Sequence, residues 1–293
     1  PYLRELEEAQ ARFEGLRALD AALARNFYGA TRSILSFSDG QPHELIALLL
    51  LRYDLANLKA IARAKHAGRE ALEAEQVFFP AGELRLPLLE AVASAPDMAA
   101  AAQALFASPT PLKSAFARAA SRYQSDGDLY GLELSLDRAY FKLVLARLER
   151  TGAPEDFVRH LRREIDATNL RTALKLRGRE ADGNALFVPG GKELSRATFE
   201  AILADPGSGA LGALAGTRFA RVAEAQTLSE AEEAIREVLD ASARRLAADP
   251  LGIGVVANFL RLKEAETARL RLLARGKFYG VPRETLAREL GHA

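Results

Sequence analysis

Alanine and leucine dominate this chain, and no stretch alternates cleanly between apolar and polar residues for more than a few positions. Strand signals are therefore weak from end to end, and the pattern predicts an all-α fold. Amphipathic stretches fall at residues 16–36, Leu129 to Leu148 and Leu228 to Leu246, each ahead of a longer helical segment. The first long segment follows the break Ser38-Asp39-Gly40. Pro42 can take its first helical position, where a missing N–H does no harm, and Glu44 suits the positive end of the dipole. Gly68 is its natural stop, which makes a rod of roughly 37 Å at ~1.5 Å per residue. The second follows the same grammar, with Gly152 as breaker, Pro154 as start, Glu155 and Asp156 in the first turn and Gly178 as stop. For the third, Asp249 reads as cap, Pro250 as start and Gly276 as end.

One motif recurs on these three helices: Asp54-Leu-Ala-Asn57-Leu58-Lys59, Asp166-Ala-Thr-Asn169-Leu170-Arg171 and Glu266-Thr-Ala-Arg269-Leu270-Arg271. The acids lie 112 positions apart (54 to 166) and then 100 (166 to 266), and the starting prolines 42 and 154 keep the first offset. Two plugs recur as well, Val77-Phe78-Phe79-Pro80-Ala81-Gly82 and Leu186-Phe187-Val188-Pro189-Gly190-Gly191, each an apolar group followed by a turn that restarts helix. The expectation is one helical module written three times, over residues 1–110, 111–215 and 216–293. Units near 100 residues bury only about 60–70% of their unfolded surface alone, so the copies are expected to share core. The loops 108–111 and 205–216 read as joints between helices.

Composition narrows the function classes. Apolar residues make up 49% and charged residues 27% of the 293 positions, an ordinary globular balance, and the net charge of +1 gives no electrostatic case for nucleic acid or a membrane surface. The absence of cysteine excludes disulfides and thiolate metal sites and fits a reducing cytoplasm. No apolar run reaches the ~18–20 residues of a membrane span, and signal-peptide features are absent. The opening at Pro1, without methionine, reads as a trimmed product.

Candidate chemistry is sparse. Asp54 and Asn57, like Asp166 and Asn169, sit three apart on one helix face beside an apolar stripe. They read as packing groups that hydrogen-bond a loop or helix end of the next module, since a pair repeated at separate places does not describe one active site. Glu266 and Arg269 hold the matching places in the third copy. Gly207-Ser-Gly209-Ala-Leu-Gly212 has dinucleotide-loop spacing, but Phe199 to Ala204 reads as helix where a strand is required. Arg271, Arg275 and Lys277 crowd the end of the third helix, either as a solvated face near a helix C-terminus or as a contact surface for an acidic partner loop. His43, His66, His160 and His292 lack metal-ligand spacing and read as surface or helix-end residues. The residues point to no catalytic group, no metal and no cofactor, and an enzyme using the glycine loop is the weakest reading.

The closing stretch Asp249-Pro-Leu-Gly-Ile-Gly-Val-Val-Ala-Asn-Phe-Leu-Arg-Leu-Lys-Glu264, with Arg269 to Gly276, resembles the end of the C subunit of the prokaryotic V-type (archaeal A-type) ATPase, counterpart of the eukaryotic d subunit. Tyr53 to Lys65 and Glu164 to Arg177 resemble that family's first and second repeats, and the likeness covers nearly the whole chain. The aromatic, arginine-rich opening expected of the family is missing ahead of Pro1, and Arg269 stands where the repeat has asparagine. The resemblance implies an all-helical funnel of three modules about a pseudo-threefold axis, on the cytoplasmic side of the membrane. It implies a non-catalytic rotor socket whose partners are the coiled-coil shaft with its companion and the ring of proteolipid subunits. A helical-repeat adaptor for another protein is the alternative.

Overall fold

The computed structural model describes residues 2–69, 78–179 and 182–292, and every regular element among them is helical. The helices are α1 (Leu3–Gln10), α2 (Gly15–Ser36), α3 (Gly40–His66), α4 (Leu86–Ser94), α5 (Met98–Leu105) and α6 (Lys113–Asp126). There follow α7 (Leu129–Thr151), α8 (Glu155–Leu176), α9 (Arg196–Ala204), α10 (Leu228–Leu246), α11 (Ile253–Phe278) and α12 (Arg283–His292). A single short turn of α-helix, Gly183–Leu186, precedes α9, and 3-10 turns fall at Gly209–Leu214, in the 205–216 joint, and at Ala220–Glu224. Val77 of the first plug lies outside the described residues.

By internal contacts the chain divides into two units: Pro1–Leu136 with Phe259–Ala293, and Asp137–Asn258. The first unit is built on α3. Its Leu45–Leu51 run is buried all round except at Ala47, as expected of a helix apolar on every side. Phe27 of α2 is fully buried against it, edge-on to Tyr53 at 5.1 Å and to Phe79 at 5.4 Å between ring centroids. The second unit is built on α8, whose Phe157, Leu161, Ile165 and Leu170 are buried together with Phe199 and Ile202 of α9 and Ile235 of α10. Phe187, on the turn before α9, meets Phe199 edge-on at 5.4 Å.

The termini show how sequence sets these bounds. Gly68 and Gly178 follow α3 and α8 with φ of 61° and 71°, left-handed values that glycine adopts without a Cβ penalty. Ser195 caps α9 by accepting from Thr198 N at 3.1 Å, and Thr227 caps α10 by accepting from Glu230 N at 3.1 Å. The third long helix departs from its expected bounds at both ends. Asp249 and Pro250 form a turn, with the Asp249 carboxylate accepting from Leu251 N at 3.0 Å, and the helix begins at Ile253. At the other end α11 runs through Gly276, where an added Cβ would lie 2.5 Å from Leu286 Cδ1 of α12. The helix stops before Gly280, whose φ is 67°. Gly276 thus serves close helix packing and leaves the stop to Gly280.

Candidate functional site

The first two motif copies build the same object, a carboxylate and an amide on a long helix gripping the turn that follows that helix. Asn57 donates from Nδ2 to Phe79 O at 2.8 Å and accepts at Oδ1 from Phe79 N at 2.9 Å. Asn169 does the same to Val188, with both bonds at 2.8 Å. The side-chain amide imitates a peptide unit, so one residue satisfies a donor and an acceptor together. Asp54 accepts from Leu84 N at 3.0 Å, Glu83 N at 3.1 Å and the Thr110 hydroxyl at 2.9 Å. Asp166 accepts from Lys192 N, Glu193 N and Leu194 N at 2.9, 2.8 and 3.1 Å. All four motif side chains are buried at 0–1% exposure. Their partners belong to the turn after their own helix and, for Asp54, to the 108–111 joint.

The turns must come very close for this. A Cβ on Gly82 would sit 2.2 Å from Asp54 Oδ1, and one on Gly191 would sit 2.0 Å from Asp166 Oδ1. Only glycine lets backbone approach the carboxylate so nearly. A guanidinium closes each grip from the other side. Arg32 donates to Ala81 O and Gly82 O at 2.5 and 3.0 Å, and Arg138 donates to Phe187 O at 2.7 Å. Arg32, Arg138 and Thr110 were not singled out by the sequence. Arg32 precedes Asp54 by 22 positions but Arg138 precedes Asp166 by 28, so no repeat spacing marks them.

Burial dominates the electrostatics. Loss of water pushes the Asp54 carboxyl up to about 6, against the pull of the Leu84, Thr110 and Glu83 donors. Asp166 is raised for the same reason, opposed by its three backbone donors. These carboxylates are sealed from solvent with both oxygens occupied by protein donors, which suits them to bracing rather than to acid–base work on a bound molecule.

The third copy is built differently. Glu266 is exposed and accepts from Lys263 Nζ at 2.9 Å, while that ammonium also donates to the Tyr2 hydroxyl at 2.6 Å. Arg269 is exposed. Arg271 turns inward: its Nε donates to Asp20 Oδ1 at 3.1 Å and its guanidinium lies 4.5 Å from the Phe79 ring centre. Arg275 donates to Asp20 Oδ2 at 2.8 Å, and Lys277 is exposed. Burial raises the Asp20 carboxyl against the pull of Arg275 and Arg271, and burial lowers Arg271. The acid that Arg271 and Arg275 meet is thus Asp20 of α2. Arg271 also covers the residue whose backbone Asn57 holds, which joins the end of the chain to the first grip.

Phe199 to Ala204 is helical, and the amides of Gly207 and Ala210 in the glycine loop donate to the Asp205 carboxylate at 2.8 and 2.7 Å. His43 and His66 lie at helix ends, but His160 departs from the surface expectation. It is 6% exposed, 3.0 Å from the Ser242 hydroxyl that Arg163 also reaches. Its polar neighbours come from α8 and α10, which helical position alone does not announce. The side chain of His292 lies outside what is described. Among the described residues no group of His, Asp or Glu is placed to hold a metal ion.

Comparison with known proteins places the chain in a family. The model of the ATP synthase (C/AC39) subunit family matches residues 1–289. The chain is 37% identical over 286 residues to the C subunit of the V-type ATP synthase of Deinococcus radiodurans, covering 97% of this chain and 78% of that one. It is 35% identical over 278 residues to the C subunit of the V-type ATP synthase of Thermus thermophilus, covering 94% and 83%. It is 27% identical over 299 residues to the C subunit of the A-type ATP synthase of Haloquadratum walsbyi, covering 98% and 86%. An all-α chain matched from end to end in this way belongs to the ATP synthase (C/AC39) subunit family.

Proposed function

We propose that this chain is a non-catalytic central-stalk rotor subunit of a V/A-type ATPase, a socket that couples the central shaft to the membrane rotor ring. Its three modules, residues 1–110, 111–215 and 216–293, stand about a pseudo-threefold axis as a funnel. The shaft and its companion enter on one side, and the ring of proteolipid subunits lies on the other. The protein is peripheral, on the cytoplasmic face, and passes torque between ATP turnover and proton or sodium transport.

The observation that carries this reading is the family match over residues 1–289. The structure supports it in one respect. The recurring motif is spent on bracing, with Asp54 and Asp166 at 0% exposure, and a part that transmits torque must resist shear through close packing and saturated internal bonds. Among the described residues no helix is long and apolar enough to cross a membrane. The test uses membranes holding the ring and the remaining subunits but depleted of this one. Adding the purified chain should restore ATP-driven ion pumping, while the chain alone hydrolyses no ATP. Unrestored pumping, or hydrolysis by the isolated chain, would overturn the reading.

A further inference from the structure

A cleft of about 510 Å³ opens in the first unit between α1, α2 and the residues 78–90 that follow the first grip. Its floor is apolar and partly buried, formed by Phe13, Ala24, Tyr28 and Pro80, and its rim carries the exposed Arg12, Arg17 and Arg85. The lining contains four arginines and three carboxylates, Glu8, Asp20 and Glu90. All three acids already have partners. Glu8 is held by Arg4 and Arg25 at 3.0 and 2.8 Å, and Asp20 carries Arg271 and Arg275 behind it. Arg12, Arg17 and Arg85 pair with no carboxylate among the described residues, and Arg17 instead lies 5.2 Å from the Phe13 ring centre. The surplus at this cleft is positive.

We infer that the cleft is a docking groove for an acidic, amphipathic segment of a partner protein, independently of the shaft-and-ring reading. Its apolar face fills the floor over Phe13, Ala24 and Tyr28, and its Asp or Glu side chains meet Arg12, Arg17 and Arg85. The arrangement of apolar centre and charged, solvent-facing rim is that of a protein interface. A metabolite pocket instead gathers its few polar groups around a buried ligand. A short helix laid in such a groove places side chains at i, i+3, i+4 and i+7 on the floor and leaves its flanks for the rim. Arginine is the residue that holds carboxylates at such a rim with two parallel bonds.

Selection of a displayed library of random peptides of about 15 residues, long enough to form a marginal helix, tests the groove on the full chain. The expected winners combine Leu, Phe or Tyr with Asp and Glu. The triple variant Arg12→Glu, Arg17→Glu, Arg85→Glu alters only exposed side chains, and an unchanged melting curve checks that it folds. It should bind those winners at least about tenfold more weakly and select Lys- and Arg-rich peptides in their place. Ala24→Phe should block the same winners by filling the floor without changing charge. Failure to enrich any sequence, or winners that bind the triple variant and Ala24→Phe as well as the original, would overturn the proposal. So would vesicles of phosphatidylglycerol that displace the winners from the wild-type chain, because the groove would then belong to a lipid surface.

Discussion

Replacing Asn169 by leucine isolates what the amide contributes, because leucine has nearly the shape of asparagine and leaves no cavity. The change removes two hydrogen bonds of 2.8 Å and strands the N–H and C=O of Val188, a residue only 1% exposed. Each buried group left unpaired costs about 1–3 kcal/mol. Burying the leucine methyls returns about 1.5–3 kcal/mol, so the net loss is about 1–3 kcal/mol. Such a loss lowers the thermal midpoint by roughly 3–10 °C. Calorimetry gives the global number, and hydrogen exchange followed at the Val188 amide gives the local one, where protection should fall by more than the global loss accounts for. A melting curve matching wild type together with an unchanged Val188 exchange rate would refute the claim that this amide holds the turn.

Gly191→Ala puts a Cβ where Asp166 Oδ1 now lies, 2.0 Å away, so urea unfolding should show a loss of about 2 kcal/mol or more; an unaffected midpoint would mean the turn can retreat freely. Asp20→Ala leaves Arg271 and Arg275 partly buried without their counter-charge and should cost about 3–5 kcal/mol, whereas Asp20→Leu combined with Arg271→Met should recover part of that loss; equal unfolding energies for the two variants would count against the pairing. Asp54 is raised to about 6 in the folded chain from an ordinary 3.8, so the folded state binds its proton more tightly. Its contribution to stability is therefore largest below pH 4 and falls by about 3 kcal/mol as pH rises through 6. Subtracting the Asp54→Asn profile from that of wild type should expose this decline, and a difference that is flat between pH 4 and 6.5 would contradict it.

The sequence made the long helices legible because their punctuation is local. Gly40, Pro154, Gly68 and Gly178 lie at or beside real boundaries, since a left-handed stop or a proline start depends on little beyond itself. The same logic failed at Gly276, where the glycine answers to Leu286 across a helix contact that local grammar cannot express. The motif pairs Asp54/Asn57 and Asp166/Asn169 stood out because a polar pair on an apolar face needs partners. What those partners are was hidden, because Asn57 reaches across 22 positions and Asn169 across 19, and Arg32 and Arg138 keep no common offset. The inward turn of Arg271 onto Asp20 joins residues 251 positions apart, beyond the range of any periodicity.

That last contact bears on how the chain is made. The second unit, Asp137–Asn258, is one continuous run and can close its core while synthesis is still under way. The first unit needs Phe259–Ala293, which is made after the whole of the second unit, before Arg271 and Arg275 can neutralise Asp20. At roughly 5–20 residues per second Asp20 therefore stands without its counter-charges for tens of seconds, and the two units mature on different schedules.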